Sequence, residues 1–303
     1  MRFAYLGTDR FAASVLASLV GTGRVPSLVV SRPDSRQGRG RRLAPPPVAV
    51  EARDLGLEVF QPESANEGDL LVRLQDVGIE LLVLCAYGGI IREPLLSTWT
   101  ILNLHPSLLP RWRGAAPIER ALMAGDRSTG ASVIRLVEEL DAGPVALAEE
   151  VAIAPEDDFA SLSARLGEIG VRLLLEALDQ FEAGTLSFEP QAREGVTYAE
   201  RIESADRLLD PHAPAIELER AVRALHPHIG ARLRLPDGRI LGVRGAVAID
   251  DGPGCNEVSE DGGGLVVGCS QGALRLTRVV PPGGREMDAS DWLRGGGMGS
   301  GPR

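Results

Sequence analysis

Phe3-Ala4-Tyr5-Leu6-Gly7-Thr8-Asp9-Arg10-Phe11-Ala12-Ala13-Ser14-Val15-Leu16-Ala17-Ser18-Leu19 carries the pattern that decides the fold of this chain. Phe3 to Leu6 is an unbroken apolar run, Gly7-Thr8-Asp9 supplies turn residues, and from Phe11 to Leu19 the apolar positions recur at helical spacing. A second strand-like run, Ser27 to Val30, follows. Working outward, the same alternation returns. Val48 to Leu55 reads as helix, Leu57 to Phe60 as strand, Gly68 to Val77 as helix and Glu80 to Ala86 as strand. Strands alternating with helices through short connections predict an α/β fold with a doubly wound, mainly parallel sheet and helices on both faces. Ligands of such sheets bind beyond the carboxyl ends of the strands. Thr100 to Leu104 and Ser132 to Leu136 add strands, with a helix around Ile118 to Met123 between them, and a helix from Phe159 to Phe181 closes this half.

Periodicity weakens from Gly184 to Ala205, where Phe188-Glu189-Pro190-Gln191 reads as extended linker. The expected division is a first domain over 1–188, a linker over 189–204 and a second, smaller domain over 205–303. After a helix at Ala215 to Leu225, the second domain offers short strands at Ala231 to Leu235, Ile240 to Gly245, Leu265 to Gly268 and Ala273 to Val279. Gly, Pro and Asp turns separate them, which predicts a small β-barrel or sandwich. The Gly-rich tail from Gly295 reads as disordered.

Composition narrows the function classes. With 42 acidic and 32 basic residues, a net charge of −10 argues against indiscriminate coating of nucleic acid, although a local basic patch remains open. Every basic residue is arginine, so each cationic contact is a planar fork suited to phosphate. No apolar run has the length of a membrane span, and the N-terminus carries no export signal. Cys85, Cys255 and Cys269 form neither a CxxC pair nor a metal spacing, which points to a reducing cytoplasm and no structural metal.

The densest run of unusual residues is Asn103-Leu104-His105-Pro106-Ser107-Leu108-Leu109-Pro110-Arg111-Trp112-Arg113-Gly114, beginning where a strand ends. Residues two apart on a strand share a face, so Asn103 and His105 should project together into the crevice. An amide can donate to a carbonyl oxygen that is becoming negative, and an imidazole can donate there or move a proton. Asp141, in the turn Leu140-Asp141-Ala142-Gly143-Pro144, could hold His105 in one tautomer and accept a proton; it could equally be an ordinary turn residue. G-x-G-x-x-G is absent and so is a P-loop, which speaks against a nicotinamide cofactor or ATP. Arg32 to Arg42 holds five arginines on a Gly-containing loop. It reads either as a phosphate-backbone grip or as a solvated charged loop.

These residues resemble the methionyl-tRNA formyltransferase family over nearly the whole length. The resemblance rests on Gly7-Thr8 with Phe11-Ala12, Gln37-Gly38-Arg39-Gly40, Val59-Phe60-Gln61-Pro62, Ala86-Tyr87-Gly88, and the run from Asn103 to Ile118. Gly125-Asp126 with Thr129-Gly130, Leu140 to Gly143, and Thr197-Tyr198-Ala199-Glu200 complete it. It implies a formyltransferase-type Rossmann-like first domain and an OB-like second domain that supports tRNA. Asn103, His105 and Asp141 match the family's catalytic residues, and Ser107, Leu108, Leu109 and Pro110 its folate-binding segment. Arg36, Arg39, Arg41 and Arg42 lie in the loop that corresponds to the one with which the family grips the acceptor end of initiator tRNA. The implied donor is 10-formyltetrahydrofolate and the implied acceptor initiator methionyl-tRNA, with no metal, no membrane, a cytoplasmic location and a monomeric chain. Asp9 departs from the family's usual Pro, and Leu225-His226-Pro227-His228-Ile229 from a more aromatic segment. A formyltransferase for a small amine, a hydrolase of the formyl donor and an RNA-binding protein with a decayed site are the competing readings.

Overall fold

The computed structural model describes residues 1–37, 42–261 and 264–297. Two compact units divide the chain. One comprises Met1–Pro117, Ser128–Val151 and Ser163–Ala199; the other comprises Ile118–Arg127, Ala152–Leu162 and Glu200–Arg303. The continuous limits expected from sequence, 1–188, 189–204 and 205–303, thus differ from units that exchange segments along the chain. Residues 189–199, expected as linker, count within the first unit, and Tyr198–Ala199 pairs in parallel with Arg113–Gly114.

The first unit is built on a seven-stranded sheet ordered Val145–Ala152, Ser128–Arg135, Thr100–His105, Leu81–Cys85, Phe3–Gly7, Leu28–Val30, Val59–Phe60. The five strands from Thr100–His105 to Val59–Phe60 pair in parallel, whereas Ser128–Arg135 runs antiparallel to Thr100–His105. Side-chain parity explains why the sheet is covered twice. Phe3, Tyr5, Val29, Leu81, Val83, Leu102 and Leu104 pack in one core with the helix Arg10–Gly21, the helix Pro47–Asp54 and the long helix Phe159–Glu182. Their neighbours Ala4, Leu6, Leu28, Leu82, Leu84 and Ile101 pack in another with the helix Gly68–Val77. A strand buried on both faces needs no alternation, which is why Leu81-Leu82-Val83-Leu84-Cys85 is apolar throughout and wholly buried.

The strand Phe3–Gly7 lies between Leu28–Val30 and Leu81–Cys85, so the chain order reverses there. That reversal opens a crevice outside the carboxyl ends of these strands. Gly7-Thr8-Asp9 forms its rim. Asp9 accepts a hydrogen bond from the Ala12 N–H at 2.9 Å and caps the helix Arg10–Gly21. This is the task for which an aspartate suits the position.

Two features of the first unit depart from the expectations. Val145–Ala152 is a strand not anticipated from sequence, and Ser35–Gln37 pairs antiparallel with Arg42–Ala44 as a short ribbon rather than a loop. In the second unit the helix Ala215–Leu225 has the expected limits. A seven-stranded sheet follows, ordered Leu208–Leu209, Ala231–Arg234, Ile240–Ile249, Ala273–Val280, Gly264–Gly268, Val258–Asp261, with Met287–Asp288 paired to Ala273–Val280. One core, including Leu218, Val222, Leu233, Leu241, Leu265, Leu274 and Trp292, joins this sheet to the helix. Register shifts around Gly245 let the long central strands curl, as irregular pairing does in barrel-like sheets.

Candidate active site

The strand Thr100–His105 ends at Pro106, which has no N–H to continue the ladder. Its last odd-numbered residues, Asn103 and His105, are both buried. Beyond Pro106 the chain folds back. The Ser107 N–H donates to the His105 carbonyl at 2.9 Å, and the Ser107 hydroxyl donates to the Arg111 carbonyl at 2.6 Å. Ser132, paired with His105 across the sheet, donates its hydroxyl to the Ser107 carbonyl at 2.8 Å and accepts from the Leu109 N–H at 3.2 Å. This hydrogen bonding holds the turn so that the Trp112 carbonyl stands 2.8 Å from His105 Nε2. A carbonyl only accepts, so the ring proton sits on Nε2 and leaves Nδ1 for the other side.

Asp141 lies on that side. Its Oδ2 is 3.7 Å from His105 Nδ1 and accepts from the Gly114 N–H at 2.8 Å; its Oδ1 accepts from Asn103 Nδ2 at 3.2 Å. The three side chains singled out from sequence therefore converge. The 3.7 Å gap is longer than a hydrogen bond, so a proton on Nδ1 would face the carboxylate yet remain within reach of a third group. Gly114 has φ +122, and a Cβ there would stand 2.7 Å from the Ala199 carbonyl oxygen. The donor to Asp141 is thus a glycine of necessity.

Backbone conformation marks the same place. Among the described residues, the non-glycine residues at positive φ are Ala86, Trp112, Asp141 and Asn256. Trp112 and Asp141 belong to this constellation, and Ala86 follows the neighbouring strand Leu81–Cys85. Such conformations cost about 1–3 kcal/mol each and collect where a site requires a particular direction of a group.

Two cavities adjoin these residues along the chain. The larger, of about 580 Å³, is lined by Arg92, Leu96, Arg135, Val137, Glu138 and Pro144, on either side of the Asp141 turn in sequence. The smaller, of about 300 Å³, is lined by Leu108, Pro110, Trp112, Thr129 and Glu194 among others. Of the expected folate segment, Leu108 and Pro110 reach the smaller cavity. Ser107 is fully buried with its hydroxyl taken by Arg111. The larger cavity carried no motif and was not anticipated.

Of the expected tRNA-binding arginines, Arg39 and Arg41 lie outside the described residues. Arg36 and Arg42 are exposed on the ribbon, where Arg36 pairs with Leu43 and Arg42 with Gln37, so the two arginines leave opposite faces. Gln61 ties the base of this ribbon down. Its amide donates to the Arg32 carbonyl at 2.8 Å and to Asp34 at 3.0 Å and accepts from Arg53 at 2.6 Å. Sequence reasoning also missed the Trp112 carbonyl and the Gly114 N–H, because backbone groups leave no compositional trace.

Comparison with known proteins shows the family. Residues 1–178 match the formyl transferase family and residues 201–297 its C-terminal domain. The methionyl-tRNA formyltransferase of Halorhodospira halophila is 41% identical over 300 residues, covering 97% of this chain and 96% of the relative. That of Methylococcus capsulatus is 41% identical over 297 residues with the same coverage. HypX from Aquifex aeolicus in complex with tetrahydrofolic acid shares the fold, with TM-score 0.67 at 19% identity over 97% of this chain and 47% of that one. The chain belongs to the formyl transferase family, among the methionyl-tRNA formyltransferases.

Proposed function

We propose that this chain transfers the formyl group of 10-formyltetrahydrofolate to the free amine of initiator methionyl-tRNA, giving N-formylmethionyl-tRNA and tetrahydrofolate. The observation that carries the chemistry is the convergence of Asn103, His105 and Asp141 at one strand end. The uncharged amine attacks the formyl carbon, a new N–C bond forms, and the carbonyl oxygen becomes a tetrahedral oxyanion. Asn103 holds one amide hydrogen on Asp141 and has a second for the oxyanion. His105 in its protonated form donates Nε2–H to the Trp112 carbonyl and presents Nδ1–H on the Asp141 side. Both donors are fixed before the charge develops, and this preorganisation makes such donors effective. Asp141 orients His105 and takes the proton that the attacking amine must lose. The bond from carbon to N10 then breaks, and N10 leaves with a proton returned to it.

In this reading the larger cavity and the segment Ser107 to Pro110 serve the folate donor. The cavity's volume is that of a small-molecule site, and Arg92 and Arg135 beside Glu93 and Glu138 give it both donors and acceptors for a polar ligand. Arg36, Arg39, Arg41 and Arg42 would grip the acceptor end of the tRNA, and the protein would act as a monomer in the cytoplasm. The test is transfer of labelled formyl from 10-formyltetrahydrofolate to initiator methionyl-tRNA, with uncharged tRNA and free methionine as controls. Label on the charged tRNA alone is expected. Release of formate, or label on a small amine but not on tRNA, would replace this reading with the hydrolase or the small-amine enzyme.

A further inference from the structure

The carboxylate of Asp141 is held from two directions, by Asn103 and by the Gly114 N–H. What holds its backbone is a different residue. Gln191 donates from Nε2 to the Asp141 carbonyl at 2.7 Å and to the Gly143 carbonyl at 2.8 Å. Its Oε1 accepts from Arg113 Nε at 3.1 Å and from Arg113 Nη2 at 2.9 Å. Two donors and two acceptor positions are all that a glutamine amide has, and here each is used. The orientation is also determined. A guanidinium only donates, so the buried Arg113 requires the amide oxygen on its side and thereby turns the NH₂ toward the Asp141 turn.

That turn has reason to need holding. Asp141 sits at φ +46, a left-handed conformation uncommon for a residue other than glycine. Gly143 packs so closely that a Cβ would stand 1.7 Å from the Arg135 carbonyl oxygen. The segment bearing Gln191 is itself pinned, since Val145 and Glu189 exchange backbone hydrogen bonds of 2.7 and 2.9 Å. Arg113 and Gly114 are adjacent, so one dipeptide fixes both ends of Asp141: the backbone through Gln191 and the carboxylate through the Gly114 N–H.

We infer that Gln191 is a positioning residue for the transfer reaction, setting the Asp141 turn so that the carboxylate meets Asn103 and His105; this rests on the catalytic reading of Asp141. It makes no contact with the reacting atoms and acts through Asp141. Gln191→Glu keeps an acceptor for Arg113 but replaces the two donors by a carboxylate oxygen facing two carbonyls. Gln191→Ala removes both halves of the bridge, and Gln191→Met removes them at nearly conserved volume.

The experiment is steady-state formyl transfer by Gln191→Ala, Gln191→Glu, Gln191→Met, Asp141→Asn and the double variant Gln191→Ala/Asp141→Asn, with folding checked by circular dichroism. Each Gln191 variant should lower kcat by about 10- to 100-fold, the range for groups that hold a ligating or reacting side chain in place. KM for the folate and for methionyl-tRNA should stay within about 2-fold, because binding is unaffected. On the Asp141→Asn background, Gln191→Ala should add almost nothing, since residues acting as a unit are non-additive. Wild-type kcat in Gln191→Met beside a crippled Asp141→Asn would overturn the inference and leave the catalytic reading standing. Activity retained in Gln191→Glu but lost in Gln191→Ala would assign the effect to Arg113 and overturn it too. Near-normal Asp141→Asn would sink both.

Discussion

The two sheets of this protein bury their residues by different rules. In the first, Leu81-Leu82-Val83-Leu84-Cys85 has no exposed position, and consecutive residues go to different cores. In the second, Ala231-Arg232-Leu233-Arg234 alternates buried and exposed, and arginines take the outward positions, as Arg278 does on Ala273–Val280, while Gly264–Gly268 is buried throughout. Central parallel strands covered on both faces have only their ends for chemistry, and there Asn103, His105 and Asp141 meet. An antiparallel sheet can instead leave part of a face to solvent and set charges along it. In the first unit the candidate chemistry is therefore gathered at one strand end, whereas in the second unit arginines are set outward along strands.

The strongest way to break that contrast is at the point itself. His105→Ala should reduce turnover by about 100- to 10,000-fold, the range for a positioned acid–base group. A rate close to wild type in stopped-time transfer assays would mean that the chemistry is elsewhere. The burial rule is tested next. Leu82→Ala and Leu233→Ala should each cost about 2–5 kcal/mol in urea unfolding, since both side chains are buried. Arg234→Ala, at an exposed position, should stay within about 0.5 kcal/mol. Equal costs at Leu233 and Arg234 would contradict the one-sided covering of the strand Ala231–Arg234.

A smaller effect sharpens the assignment of the ribbon. Arg42→Ala should weaken methionyl-tRNA binding several-fold and reduce the dependence of log affinity on log salt by about one. An unchanged salt slope would remove Arg42 from the phosphate contacts. The smallest effect concerns thiols. Burial pushes the Cys85 thiol up, so the folded state keeps a proton that the unfolded chain begins to lose near pH 8.5. Its contribution to stability is therefore complete below about pH 8.5 and falls as pH rises above it. Alkylation of the native protein at pH 8 should modify the exposed Cys255 and spare the buried Cys85, read by peptide mass. Modification of Cys85 without unfolding would show that this core opens.

Much of this was legible in the sequence, for local reasons. The helix Ala215–Leu225 declares itself by its own periodicity, and the central strands by apolar runs. Asn103 and His105 were legible because a strand end and a two-residue spacing are local facts. The strand Val145–Ala152 was not, because half-exposed glutamates interrupt its pattern and its pairing supplies the order. Residues 189–199 read as linker for the same reason. Glu189 pairs with Val145, Tyr198 with Arg113, and Gln191 with groups about 50 residues away, all contacts without a trace in hydrophobic periodicity. The site was likewise half visible: its side chains stood in the sequence, whereas the Trp112 carbonyl and the Gly114 N–H that orient them are backbone groups.

The most direct test is single-turnover formyl transfer by Asn103→Ala, with methionyl-tRNA binding measured on the same protein. The expected rate is lower by about 100- to 1000-fold, the usual loss for one preorganised donor to an oxyanion, with tRNA affinity unchanged. A rate within a few-fold of wild type would contradict the claim that this strand end carries the reaction.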